Sequence, residues 1–342
     1  MGVDLGDLIE PEEISFEELH DTELAVDAMN TLYQFLSIIR QRDGTPLKDS
    51  QGRVTSHLSG VFYRNINLLE KNIRPVYVFD GETPELKQKE SSRRRKKREE
   101  AREEWKKLRE EGKISEAYSK ATQSSKINEE MLVEAKKLLD AMGLPYIQAP
   151  SEGEAQAAHM TRSDEGDIYA VASQDWDCLL FGAERMVRNL TTRKTRKTSS
   201  GGKKEISTER IELEDVLKQL DITQEKLIWM GVLMGTDFNP DGVEGIGPKT
   251  SLKLVREYNS FEEILEDDKV DWGSEKDPDT IIQFFRDPPV EDVDYSFGEP
   301  DEERIKEILV DEHDFSEKRV DSGLEKLRKA MESRQSGLES FM

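Results

Sequence analysis

Cysteine is almost missing from this chain: Cys178 stands alone among 342 residues, so no disulfide can form within it. A lone thiol fits a reducing interior and points to a cytosolic protein. Long apolar runs are missing too, since no stretch approaches the roughly 20 residues that a membrane-spanning helix needs. Met1-Gly2 opens no secretory signal, and Gly6 stands where a myristoylation signal needs Ser or Thr. Basic residues are the minority, 50 Lys and Arg against 73 Asp and Glu, for a net charge of −23. Such a balance ordinarily argues against nucleic acid as a partner. Its distribution reverses the inference: residues 262–314 hold 21 acids against 5 bases, net −16, which leaves only −7 for the rest. Against this, residues 87–113 carry 13 bases and 7 acids, and residues 185–204 carry 8 bases and no acid. Concentrated positive charge of this kind suits contact with phosphates.

What is present is length and pattern. A chain of 342 residues buries a substantial core as one large α/β domain or two smaller ones. Its organising stretch runs from Gln148 to Gly182, where four of the seven carboxylates form two pairs, Glu152 with Glu154 and Asp175 with Asp177. In extended backbone, residues two apart project to one side, so each pair aims two oxygen ligands at one point. In so acidic a chain, the bland alternative is a solvated acidic face. Context favours a site, because Asp175 follows the apolar run Ile168 to Ala172, which reads as a buried parallel strand. Ligands of open α/β sheets bind beyond the carboxyl ends of such strands. The pattern repeats at Glu23 to Asp27 and at Arg74 to Asp80, so three strands end in an aspartate and suggest one shared cluster.

Other stretches read more coarsely. Residues 44–55 form a polar turn-rich loop, and residues 56–71 return to helical spacing. Between Gly81 and Ile127 apolar periodicity nearly vanishes, leaving a charged helix that reads either as solvated and laced by i,i+4 pairs or as a basic gate over the site. Residues 128–142 predict an amphipathic helix, Leu144 to Ile147 a short strand, Thr191 to Gly202 a basic loop, and Gln224 to Met234 an apolar helix delivering Gly235-Thr236-Asp237. In GVEGIGPKTSLKLV, Gly245 and Gly247 let backbone approach a phosphate, the next helix start offers amides, and Lys249 adds charge. That hairpin is similar to those that grip a DNA backbone without reading sequence, although a plain glycine-capped turn has the same outline. At the end, Leu338 and Phe341 lie three apart and form a hydrophobic plug if the segment turns helical, with Gln335 nearby; a frayed terminus is the alternative.

Six motifs in order carry a resemblance: VDAMN at Asp27, VFDG at Asp80, SEGEAQAA at Glu152, SQDWDCLLFG at Asp175, GTDF at Asp237 and GVEGIGPK. Together they resemble the structure-specific 5′ nuclease family, which holds flap endonucleases and XPG-like enzymes. The resemblance covers residues 1 to about 330, and the terminal QSGLESFM is similar to the motif by which these enzymes bind the sliding clamp PCNA. The length and the short clamp motif suggest the archaeal form.

The resemblance implies an α/β fold: a mostly parallel central sheet flanked by helices, of the PIN-like 5′ nuclease type. It adds a helical arch inserted at 81–127 and a helix-hairpin-helix-type (H2TH) motif at 242–255. It implies one nuclease domain over 1–330, made of 1–80, the arch, 128–258 and an acidic part at 259–330, with a clamp-binding tail at 331–342. The implied metal ligands are Asp27, Asp80, Glu152, Glu154, Asp175, Asp177 and Asp237, around two Mg²⁺ ions. Hard Mg²⁺ prefers oxygen and keeps several waters, which such a set suits. Lys87 and Arg94 are implied to stabilise charge on the scissile phosphate, and their spacing sets them roughly on one helix face. DNA contacts are implied at Gly2, Tyr33, Lys87, Arg94, Glu152, Gly235, Asp237, Gly245, Gly247 and Lys249, with K⁺ assisting the hairpin motif. A core tyrosine is the alternative for Tyr33. Clamp contacts are implied at Gln335, Leu338, Phe341 and Met342, where Met342 replaces the usual second aromatic.

The expected function is therefore a monomeric cytoplasmic enzyme at replication forks. It cuts 5′ flaps of branched DNA at the junction by two-Mg²⁺ hydrolysis, with 5′–3′ exonuclease activity and a 5′ phosphate product, in Okazaki fragment maturation and repair. Two other readings stand beside it: an RNA-directed nuclease of the PIN type, and a catalytically silent junction binder held on the clamp. The retained acids oppose the silent binder, and the arch, hairpin and tail oppose the RNA nuclease.

Overall fold

The computed structural model describes all residues except 1, 2, 4, 88–98, 102, 106, 109–110, 112–119, 121–125, 163–166, 192–194, 198–202 and 342; for 195–197, 203–205 and 333–341 it describes the backbone alone. Arg94, Gly2 and Met342 thus lie outside the described residues, as do the side chains of Gln335, Leu338 and Phe341.

The sheet grows from short apolar runs. Strands β1 (Glu12–Ile14), β2 (Thr22–Asp27), β3 (Ile73–Phe79), β4 (Tyr146–Gln148), β5 (Ile168–Ala172), β6 (Arg185–Arg188) and β9 (Thr208–Glu212) form one sheet of order β1-β9-β6-β5-β2-β3-β4. The strands from β4 to β6 run parallel, while β9 and β1 close the other edge antiparallel. Strands β7 (Thr195–Lys197) and β8 (Lys203–Glu205) pair as a separate ribbon, β7 inside the stretch Thr191 to Gly202 that was expected as a loop and β8 just beyond it. Side chains alternate across the central strands as the pleat demands. Leu24, Val26, Tyr77 and Phe79 enter one core, and Ala25, Val76, Val78 and Val171 enter the other.

Helices cover both faces. On the first lie α1 (Ala28–Ile38), α2 (Ser56–Leu69) and α3 (Glu129–Ala141), the last two near the expected 56–71 and 128–142. The other carries α4 (Gly153–Met160), α5 (Asp177–Leu180), α6 (Leu213–Leu220), α7 (Gln224–Met234), α8 (Pro248–Glu257), α9 (Phe261–Leu265) and α10 (Pro278–Arg286). Next come α11 (Glu302–Lys306) and α12 (Glu317–Phe341), which returns to pack on α2. Among the described residues no helix is long and apolar enough to cross a membrane.

Between α10 and α11 the chain runs without regular structure as a strap across the amino ends of the strands. Its Glu291 main chain bonds the Gln156 amide both ways at 2.8 and 3.1 Å. The Tyr295 hydroxyl donates to Glu23 Oε2 at 2.6 Å, and the Gly298 amide donates to the Gly143 carbonyl at 2.9 Å. Here the acid-rich segment gains a structural role that its composition did not reveal.

Candidate active site

At the opposite end of the sheet four strands stop and leave carboxylates. Strand β2 stops at Asp27, which caps α1 by accepting from the Asn30 amide at 2.9 Å and takes the Ser173 hydroxyl at 3.1 Å. Strand β3 is followed by Asp80, which accepts from the Gly153 amide at 2.9 Å. Gly81 makes that approach possible: a Cβ there would collide with the Ala149 carbonyl oxygen, so only glycine lets the ends of β3 and β4 meet. Beyond β5, the Ser173 hydroxyl accepts from the Asp175 amide at 3.1 Å. Asp177 receives the Val3 amide at 2.8 Å, which brings the start of the chain into the site. A turn after α7 holds Asp237, and the Asn239 side chain fixes that turn by taking the Thr236 hydroxyl at 2.7 Å and donating to the Val232 carbonyl at 2.6 Å.

One expectation fails here. The two acid pairs were read as alternating residues of extended backbone, but both stand where a helix starts. Glu152 is the cap of α4 with Glu154 in its first turn, and Asp177 opens α5 after Trp176 in helical conformation. The reason is electrostatic, since amides at a helix start carry positive partial charge and attract carboxylates.

Asp27, Glu152, Asp177 and Asp237 are all below 10% exposed, so their charges are poorly hydrated. Burial, reinforced by Asp80, pushes the Asp27 carboxyl up to about 7. Burial raises Glu154 and Asp177 well above the carboxylate range, with Asp175 the leading charged neighbour of each. Glu152 rises for the same reason, partly offset by Lys87. Asp80 keeps exposed surface, yet the protein packed around it raises its carboxyl too. All seven acids therefore feel one another. Lys87 answers them: it ends a short 3-10 turn, pairs with Glu152 and stands 3.3 Å from Asp237. Burial pulls its ammonium down, but Glu152, Asp237 and Glu154 more than reverse this.

Among the described residues no three acids close on one point as a ready-made ion cage. The donors are nonetheless all hard oxygens crowded to the point of mutual repulsion, which fits hydrated hard divalent cations. Sequence reading missed Ser173, Asn30 and the amides of Val3 and Gly153. Only Ser173, two residues before Asp175, left a sequence signal. Tyr33 lies half-buried on α1, and Gly235 ends α7.

Known proteins share both the sequence and the fold. The XPG N-terminal domain matches residues 1–101 and the XPG I-region matches residues 143–237. Flap endonuclease 1 of Pyrococcus furiosus is 53% identical over 346 residues, covering 100% of this chain and 99% of the relative. The chain belongs to the flap endonuclease family. Flap endonuclease 1 of Thermococcus onnurineus is 51% identical over the same full length. The flap endonuclease-1 structure from Methanococcus jannaschii superposes with TM-score 0.76 at 41% identity, covering 97% of this chain and 100% of that one. The catalytic core of Rad2 in complex with DNA substrate follows at TM-score 0.67 and 25% identity, over 92% of this flap endonuclease and 95% of that chain. The expected α/β fold and structure-specific 5′ flap endonuclease function are thereby shown.

Proposed function

We propose that this flap endonuclease hydrolyses the phosphodiester at a flap junction within the ring of Asp27, Asp80, Glu152, Glu154, Asp175, Asp177 and Asp237, using two Mg²⁺ ions. The observation that carries it is the convergence of these acids beyond the ends of four strands and of α7, with the half-buried Lys87 ammonium among them. When bound, the metal supplies Lewis-acid activation of water and offsets charge on the attacking and leaving oxygens. The protein's own groups do the rest. Ser173, Asn30, Gly153 and Val3 hold the carboxylates in place through fixed donors, so little reorganisation is needed during reaction. Lys87 presents its charge beside the reacting phosphate, with Arg94 as its partner from the gateway at 81–127.

Duplex DNA docks on the hairpin at Gly245, Gly247 and Lys249. Support comes from the turn itself: Gly245 has φ 79° with open space around it, Gly247 caps α8, Pro248 opens the helix and Lys249 is exposed. A monovalent cation such as K⁺ assists that contact. Gly2, Tyr33, Glu152, Gly235 and Asp237 complete the DNA path, and residues 335–342 engage PCNA. Residues 1–330 act as one nuclease body, supported by the single sheet that joins both cores. The enzyme acts as a cytoplasmic monomer in Okazaki fragment maturation and repair, with 5′–3′ exonuclease activity.

A labelled double-flap DNA, incubated with Mg²⁺ or chelator beside single-stranded RNA of equal length, tests this. Metal-dependent incision at the DNA junction alone is expected. Cutting of RNA, or junction binding without incision, would overturn the assignment.

A further inference from the structure

Lys276 sits between Glu275 and Asp277 in the acid-rich part, where sequence reading found no chemistry. Its ammonium turns inward and donates to the carbonyl oxygens of Leu86 and Phe238. Leu86 immediately precedes Lys87, and Phe238 immediately follows Asp237. Lys87 and Asp237 are themselves 3.3 Å apart, and the Lys87 ammonium lies 5.2 Å from the centre of the Phe238 ring. Contacts thus close a circuit from Lys276 through the residues that carry both site groups.

The segment that delivers Lys276 is fixed on both sides. The Trp272 indole donates to the Lys276 carbonyl at 2.8 Å, and the Lys276 amide donates to the Ser274 hydroxyl at 3.2 Å. Immediately after it, Asp277 caps α10 by accepting from the Thr280 amide at 3.0 Å. A lysine held at its main chain loses less freedom when its side chain is ordered. Its three donors can serve two carbonyls at once, which a neutral apolar side chain cannot do.

We propose that Lys276 is a positioning residue that sets the placement of Lys87 relative to Asp237. This rests on the reading of Lys87 and Asp237 as reaction-site groups. Lys276 does not touch reacting atoms: it braces two main-chain segments, one at the base of the gateway and one at the end of α7. Without the brace, Leu86 and Lys87 drift from Asp237, and the ammonium no longer meets the phosphate at a fixed point.

Full-length Lys276→Met and Lys276→Arg variants test the brace, with Lys87→Met as reference. Single-turnover cleavage of double-flap DNA should slow about 10- to 100-fold in Lys276→Met, the scale on which a misplacement of about 1 Å acts. Junction affinity in chelator should stay within about twofold, since the loss falls on the reaction step. Amide hydrogen exchange of the metal-free protein should quicken in residues 81–87 and 236–239 and nowhere else. Lys276→Arg should recover most of the rate, because a guanidinium also serves two carbonyls. Equal losses of rate and affinity would make Lys276 a phosphate anchor, and faster exchange throughout would reduce it to general stability. Either result overturns the proposal, as does unchanged exchange at both segments. Normal cleavage by Lys87→Met would remove the reading of Lys87 instead, while the exchange data would still decide the brace.

Discussion

Asp27 and Asp267 are the same residue type under opposite rules. Burial beside Asp80 pushes the Asp27 carboxyl up to about 7, whereas the Lys269 amide and the Tyr258 hydroxyl hold the half-exposed Asp267 below its usual range. The contrast extends to their regions. In the site, acids face acids, and Lys87 is the cation that the structure places among them. In the carboxyl-terminal part, charges meet partners: Arg286 Nε reaches Glu225 of α7 at 2.9 Å, Arg328 reaches Glu302 at 2.6 Å, and Lys306 reaches Asp321 at 2.6 Å. Negative charge is concentrated in one place and dispersed among cationic partners in the other. The same amino acid can therefore cost stability or leave it untouched, depending on its company.

Removing an acid from the site should have the largest effect. Asp175→Ala should lower flap cleavage by on the order of 10³-fold or more while junction binding persists, measured by single-turnover kinetics beside a binding titration. Next comes the cation: Lys87→Met should slow cleavage by on the order of 10²-fold, the scale for one lost electrostatic donor. A stability test runs the other way. Asp27→Asn keeps the caps yet deletes a repelling charge, so metal-free protein should melt about 2–5 °C higher. The sign with pH follows. Asp27 holds its proton to about 7 when folded against an ordinary 3.8, so its neutral form favours folding in full below 3.8 and that advantage is lost as pH rises through about 7. Metal-free wild type should thus lose more melting temperature than Asp27→Asn between about pH 5 and about pH 8. The smallest effect belongs to the dispersed acids: Glu302→Gln should shift melting by about 1 °C or less. A larger shift there would erase the contrast between the regions.

Much of this site was legible because buried parallel strands read as apolar runs, and an aspartate at the end of such a run stands out. Asp27, Asp80 and Asp175 were found in that way. The antiparallel edge was not, because RMVR of β6 and TERIE of β9 mix charged and apolar residues without a clean alternation and blend into a basic stretch and a polar one. The helix starts beneath Glu152 and Asp177 were hidden too, since one carboxylate-x-carboxylate spacing fits either extended or helical backbone. Lys276 left no local signal at all: its carbonyl partners lie 190 and 38 residues away.

Such distances also govern how the molecule comes to exist. Strand β1 waits for β9, and Glu23 meets the strap hydroxyl from 272 residues along the chain. Closing contacts so remote in sequence makes folding slow. During synthesis at about 5–20 residues per second, that wait lasts on the order of tens of seconds. Until Asp237 has emerged the carboxylate ring is incomplete, and until Tyr295 has docked the base of the sheet stays open. A nascent chain that has not reached Asp237 thus lacks one acid of the ring, and its unpaired strand edges stay open to pairing with other chains in that interval.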